Sequence, residues 1–462
     1  MRNIFAIARL TFSEGIRMKI VLVFLLVLVF VMLRMPFTLR GDETLAGRLQ
    51  TFLEYSLGAV GVLLSMACVF LSCSTLTSEI KSNVIHLVIA KPVSRLQILA
   101  GKWLGINLLM ILLVLLCGLT IYGFARFIKA HPASFQRDEI NVRDVVWRAR
   151  VAAMPTPPAS LEDEAREWVS SQMKQGQDFS RGEEVAVKDR MRHLENAWRS
   201  IPPNHGRVYF FDNLIAPRAA EEAVQVRYRA RGIPLPASQQ VPINFTFADP
   251  DTNQQISGWH RAKERSSELH QFLVRGQAVI KDGRSAIGVA NPLMPPERSV
   301  IHFEGEDWLQ ILYNVGTFEE NYTKTLLIIM ARLAFLSAIG LFFSVFVSFP
   351  VACLCAFTFY LVCLGMPFWL EAIGANLEFR TDDIDPFGSF GPLARLLLVP
   401  LMKFVFPNFA LYDGARHLIA GEYISAALLI KSLAHTLAYG AILLFLPGWL
   451  IFRSREIAEV TI

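Results

Sequence analysis

Trp103–Ala125 runs for 23 residues without a charged side chain, and several other stretches of this chain do nearly the same. About 20 apolar residues in helical form cross the hydrocarbon core of a bilayer, where a helix satisfies its backbone polar groups internally. Tyr55–Leu76 (22 residues), Pro350–Leu370 (21) and Ser432–Phe452 (21, with His435 inside) reach that length. Leu326–Val347 reaches it with Arg332 as its one charge. Ile20–Leu33 supplies only 14 uninterrupted apolar residues, but Met35 and Phe37 extend it. Its flanking Arg17, Lys19 and Arg34 can reach the interface along their methylene stems. The competing reading of this end is a cleaved signal peptide; no small-residue cleavage site follows the run. The expectation is an α-helical integral membrane protein with six transmembrane helices.

Charge is unevenly spread along the chain. Of 45 Lys/Arg and 40 Asp/Glu, residues 129–322 hold 24 and 26, leaving 21 and 14 for the rest. A balanced, charged segment of that length reads as a water-soluble domain, so a large α+β extracytoplasmic insert is expected between helices 3 and 4. Within it, 159–175 and 181–199 read as helices, and from 206 onward alternating stretches such as "RVYFFDNL" and "AVQVRYRARGI" read as strands. The expected layout is an N-terminal membrane part, 1–128, the insert, 129–322, and a C-terminal membrane part, 323–462. Spans are placed at about 18–36, 54–77, 95–127, 324–347, 350–371 and 431–453. Two prolines break the apolar region about 392–421, which reads as re-entrant or interfacial. All six cysteines fall in the hydrophobic runs and read as packing residues.

Six spans put both ends of the chain on one side. Residues 1–19, 77–102 and 453–462 then share a compartment and hold ten Lys/Arg against four Asp/Glu. By the positive-inside rule that side is cytoplasmic, the insert is outside, and the protein sits in a plasma (inner) membrane. In "MRNIFAIARLTFSEGIRMK", Ile4, Ile7, Ala8 and Phe12 recur at helical spacing, which predicts an amphipathic helix lying on the inner leaflet.

Between spans two and three stands "SEIKSNVIHLVIAKPVSRLQILAGKW", Ser78 to Trp103. Ile80, Val84, Leu87 and Val88 form one apolar stripe, and Pro92 ends the helix that carries it. Ser94-Arg95-Leu96-Gln97 reads as a capping box opening the next span. A short cytoplasmic helix, about 79–91, is predicted, either an interfacial turn without a partner or a docking element.

This stretch resembles the segment between the second and third spans of type-2 ATP-binding cassette (ABC) exporter permeases. Glu79, Pro92, Ser94, Arg95, Gly101 and Lys102 stand where that family carries an acidic residue, a P-[VIL]-S-R turn and a G-K pair. Ser82-Asn83 stands where the family often has glycine-threonine. "FPNFALYDGARHLIAGEY" (406–423) and the closing "FRSREI" are also similar to the family, whereas the insert is not. The resemblance implies a coupling helix that docks into a separate ABC ATPase subunit through Glu79, Lys81, Val84, Leu87, Lys91, Pro92, Ser94, Arg95 and Lys102. It further implies a second permease, identical or different, and two ATPases that carry the ATP and Mg.

Other chemistries lack their residues. No G-x-x-x-x-G-K-[ST] occurs, and "AGKW" at 100–103 lacks both the first glycine and the Ser/Thr, so ATP hydrolysis is not expected of this chain. Neither a nucleophile elbow nor H-E-x-x-H is present, and no basic patch interleaved with aromatics points to nucleic acid. No catalytic residue, metal ligand or cofactor in this chain is expected. Glu54 and Glu371 sit at span ends, so the intramembrane acids of ion-coupled carriers are missing. Arg332 either binds an anionic substrate group, pairs with a neighbouring helix or reaches toward the membrane edge. "DPDTN" at 249–253 has acidic spacing like a calcium loop, but Gln254 occupies the glycine position, so a β-turn is expected. The expected function is the permease subunit of an ABC-type exporter. The alternative is a non-transporting membrane scaffold or sensor whose external domain binds a ligand or partner.

Overall fold

Charge-free runs become long helices here because a helix satisfies its backbone polar groups within a single segment, away from water. The computed structural model describes residues 2–38, 44–82, 93–130, 136–176, 179, 182–215, 222–236, 239–252, 254–292, 299–305, 307–372, 397, 399–403 and 406–454. They form two units, Met1–Val142 with Thr317–Ile462, and Arg143–Gly316. The first part of the chain supplies α1 (Arg2–Arg17), α2 (Lys19–Thr38), α3 (Leu45–Lys81), α4 (Arg95–Lys129) and the short α5 (Gln136–Asn141). The second unit holds β1 (Arg148–Ala153), α6 (Ser160–Lys174), α7 (Glu183–Trp198), β2 (Ser200–Ile201), β3 (Gly206–Phe211), β4 (Ala223–Ile233) and β5 (Gln240–Ala248). It continues with β6 (His260–Arg265), β7 (Leu269–Arg275), β8 (Ser285–Ala290), β9 (Val300–Phe303) and β10 (Leu309–Thr317). The chain then returns to the first unit with α8 (Phe318–Ser344), α9 (Phe349–Leu364), α10 (Met366–Ala372), α11 (Gly414–Ile419), α12 (Ala426–Leu443) and α13 (Trp449–Ser454).

Three of these helices, α3, α4 and α8, are long and apolar enough to cross a membrane. The number rises to five if α1 with Val21–Met35, bent by 61°, and α9 with α10, bent by 68°, each count as one span. Pro367 in the first turn of α10 accounts for the second bend, because proline removes a donor and displaces the residue before it from helical geometry. The span expected at 431–453 falls on α12 and α13, joined by a π-helical turn, Leu444–Gly448, that contains Pro447.

α3 starts at Leu45, well before the expected position 54. Thr44 caps it, its Oγ1 accepting from Gly47 N at 2.9 Å, and Asp138 of α5 accepts from Leu45 N at 2.5 Å and Ala46 N at 3.1 Å. A carboxylate on these otherwise unpaired amides also meets the positive end of the helix dipole. Where α3 crosses α8, Gly340 makes room for Ser72: a Cβ at 340 would lie 2.8 Å from the Ser72 Cβ. Trp103 Nε1 of α4 donates to Ala334 O of α8 at 3.0 Å, and Asn107 Nδ2 donates to Ser337 Oγ at 3.2 Å. Small residues and a few hydrogen bonds are how apolar helices hold one another when lipid competes for the same surface. The six cysteines are free thiols, five of them buried.

In the second unit, one antiparallel sheet runs β1-β10-β4-β9-β2 with β7 also on β4, and another runs β3-β8-β5-β6. Alternate residues of both sheets meet in one core that includes Tyr209, Phe211, Tyr228, Phe245, Phe303 and Trp308. This is a two-sheet sandwich with two helices ahead of most of its strands, and it lies inside the expected interval 129–322. The "DPDTN" stretch turns on its own side chain: Asp249 Oδ1 accepts from Asp251 N at 2.9 Å and from Thr252 N at 3.3 Å. Lys281 pairs with Asp249 at 2.7 Å and Arg284 with Asp251 at 2.6 Å, so these carboxylates already face cations of the chain. The hydrogen bond from Lys281 holds the Asp249 carboxyl down at about 2.

Candidate functional site: the root of the 83–92 segment

Glu79 and Lys81 belong to the last turn of α3, not to a separate short helix beginning near 79. Neither proline nor glycine interrupts Leu76–Ser82, so the helix continues until Ser82, whose N–H and Oγ both donate to Ser78 O, at 2.9 and 2.8 Å. Val84, Leu87, Lys91 and Pro92 lie outside the described residues. Ser94 opens α4 with the expected capping box: Gln97 N donates to Ser94 Oγ at 3.2 Å and Ser94 N donates to Gln97 Oε1 at 3.2 Å.

Two turns into α4, Lys102 is buried and pairs with Glu79 at 2.7 Å. Its ammonium also donates to the Thr75 carbonyl at 3.4 Å. Glu79 Oε2 is buried without a hydrogen-bond partner, and Glu14 of α1 interacts electrostatically with both members of the pair. An ion pair taken out of water holds geometry more than it adds stability, because losing one partner strands the other. The helix that leads into 83–92 and the one that leads out are therefore clamped to each other.

α1 lies against α4 beside this clamp. A Cβ on Gly101 would sit 2.7 Å from Ile7 Cβ and 3.0 Å from Ile4 O, and one on Gly105 would sit 2.5 Å from Ala8 O. Two glycines about one turn apart let the two backbones touch. The stripe of Ile4, Ile7 and Ala8, expected to face lipid, thus meets protein, whereas Phe5 and Leu10 are exposed.

Arg95 is also engaged within the chain. Its guanidinium donates to Phe452 O and, at 2.9 Å, to Arg453 O, and it lies over the Phe452 ring at 5.5 Å. Those carbonyls belong to the last described turn of α13, and the carbonyls at a helix end are the ones open to side-chain donors. The acceptors expected on a partner are here supplied by the C-terminal helix.

The remaining sequence candidate, Arg332, stands far from this root, midway along α8. It lines a cavity of about 910 Å³ bordered by α3, α8, α9 and α11. Its charge lies 5.2 Å from the centre of the Phe409 ring, and its buried Nε has no hydrogen-bond partner.

Residues 5–137 match the family model described as ABC-2 family transporter protein. The N-terminal membrane part is therefore similar to ABC-2 family transporters. This match supports a permease component of an ABC transporter, and it takes in α1 from Phe5 onward and α2 to α4, whereas α13 lies beyond it. No curated protein matches the chain, and no solved structure does.

Within the matched part, the sequence singles out Glu79 and Lys102 without pairing them. Their types gave one signal, since a lysine deep in a helix this apolar needs a carboxylate nearby. The roles of Gly101 and Gly105 as the seat of α1, and of Glu14 beside the pair, carried no local signal of that kind.

Proposed function

We propose that this chain is the permease subunit of an ABC-type exporter driven by a separate ATPase. The observation that carries the proposal is the root described above: α1, α3, α4 and α13 converge where 83–92 leaves and rejoins the bundle. A push on that segment reaches four helices at once, through the Glu79–Lys102 pair, the Gly101 and Gly105 contacts and the Arg95 hydrogen bonds. Rigid helices joined in this way move together, which is what a shift between inward- and outward-open states requires. In this reading 83–92, with Val84, Leu87 and Lys91, docks into the ATPase, which carries ATP and Mg, and a second permease completes the assembly. Six spans are assigned, namely α2, α3, α4, α8, the bent pair α9–α10, and α12 through α13. Both ends and 78–102 are then cytoplasmic and Arg143–Gly316 is outside, as the distribution of Lys and Arg supports.

Affinity purification of the full chain from its own membranes in mild detergent tests the assignment. The expected result is a co-purifying ATPase in equal amount and ATP hydrolysis by the complex. Purification of the chain alone, without any associated hydrolysis, would leave the scaffold or sensor reading standing instead.

Sidedness has its own measurement. The native cysteines are buried or half-buried, so an impermeant thiol reagent meets mainly an introduced, exposed thiol. Gln254→Cys is expected to label in intact cells and Ser82→Cys only after the membrane is opened. The reverse pattern would invert the assigned orientation.

A further inference from the structure

We infer that the cavity around Arg332 is a binding site for an amphiphile, with a phosphate or carboxylate at one end and a hydrocarbon chain at the other. Arg332 is the fifteenth of the 27 residues of α8, so its charge lies near the middle of an apolar helix. A guanidinium at that depth is costly without a counter-charge. Among the described residues no carboxylate forms an ion pair with it, and the Phe409 ring covers one face while Nε stays without a partner. Two acids share the cavity. Asp413 caps α11, accepting from Ala415 N at 3.1 Å and Arg416 N at 3.4 Å, and Glu54 is exposed.

The opposite wall keeps the space before the guanidinium clear. Gly58 and Gly61 of α3 line the cavity; a Cβ at 58 would meet nothing within 4 Å, and one at 61 would approach only Arg332 Nη1, at 4.0 Å. Larger residues would fit the helix there and fill the space. Leu57, Val62, Ile328 and Leu364 supply apolar wall around it. An arginine fork aimed into a largely apolar pocket selects a planar or tetrahedral anion, and the surrounding walls select a chain attached to it. The volume, about 910 Å³, is at the upper end of small-molecule sites. The inference names a ligand class for the membrane part and needs no ATPase, so its failure and that of the coupling proposal are separate outcomes.

The test uses the full-length protein in phosphatidylcholine nanodiscs, titrated with palmitate, hexadecyl phosphate, hexadecanol and inorganic phosphate. Palmitate and hexadecyl phosphate are expected to bind saturably, one per chain, with hexadecanol and inorganic phosphate far weaker. Arg332→Gln should weaken both alkyl anions at least about tenfold, the loss of one charge-assisted hydrogen bond. Gly61→Leu should do the same with the guanidinium intact, and Arg332→Lys should retain part of the affinity. Native mass spectrometry of protein taken from its own membranes distinguishes the sources. A bound diacyl phospholipid identifies a lipid headgroup and a bound single-chain acid a free amphiphile, and either must be missing from Arg332→Gln. Equal affinity in wild type and Arg332→Gln, hexadecanol binding as tightly as palmitate, or an adduct that persists in Arg332→Gln would overturn the inference.

Discussion

Gly105→Val will detach α1 from α4. The first atom added at 105 falls 2.5 Å from the Ala8 carbonyl oxygen and 2.7 Å from Thr11 Cβ, and the oxygen belongs to backbone that cannot rotate aside. Overfilling a packed contact usually costs about 1–3 kcal/mol, and a backbone clash falls at or beyond the upper end. α1 gives way first, since it meets the bundle along one stripe and its other faces are exposed at Phe5 and Leu10. Labelling of an Ile7→Cys thiol should rise sharply in the Gly105→Val background, together with a lower melting temperature in detergent. Gly123→Val is the control, because a Cβ at 123 of the same helix meets nothing within 4 Å. It should melt as wild type does. Unchanged Ile7→Cys labelling in Gly105→Val would contradict the packing described for α1.

Lys102→Met should be the most damaging substitution of a single charge in the membrane part. Lys102 and Glu79 have side chains only 3% and 15% exposed, and one Glu79 oxygen already lacks a partner. Removing the ammonium leaves a carboxylate stranded beside Glu14, at a cost of about 3–5 kcal/mol for a buried pair broken on one side. Adding Glu79→Gln removes the stranded charge, so the double variant should recover most of the lost stability. Thermal unfolding of the two single variants and the double variant checks this. Additive losses would mean that the two side chains do not act as a pair.

Local chemistry explains which parts of this molecule could be read in advance. The long helices follow from charge-free runs, and the Ser94–Gln97 cap from four consecutive residues whose side chains find each other within one turn. The helical lead and strand alternation of the second unit follow from period, which survives whatever the element later packs against. Long-range partners were not legible. Nothing near Arg95 indicates that its acceptors lie at Phe452 and Arg453, and nothing near Ile7 or Ala8 shows that Gly101 and Gly105 will receive them. The sequence places the end of α3 near 77 and the structure at Lys81, because Glu79-Ile80-Lys81 reads equally well as the start of an amphipathic helix or the finish of a long one. What decides it is Lys102, across the 83–92 segment. Arg332 was legible as an intramembrane charge, but the glycines that leave space before it are on another helix.

The most direct measurement replaces residues 83–92 with a Gly/Ser sequence of equal length in the full chain and follows the co-purifying ATPase. The Glu79–Lys102 pair, the α1 seat and the hydrogen bonds from Arg95 to Phe452 and Arg453 are made by residues outside the replaced segment, so the bundle should melt close to the wild-type temperature. The expected result is an inserted, folded permease from which the ATPase has been lost, with no hydrolysis above background. An ATPase that still co-purifies in equal amount and hydrolyses ATP at the wild-type rate would contradict the proposal that this segment is where the motor engages.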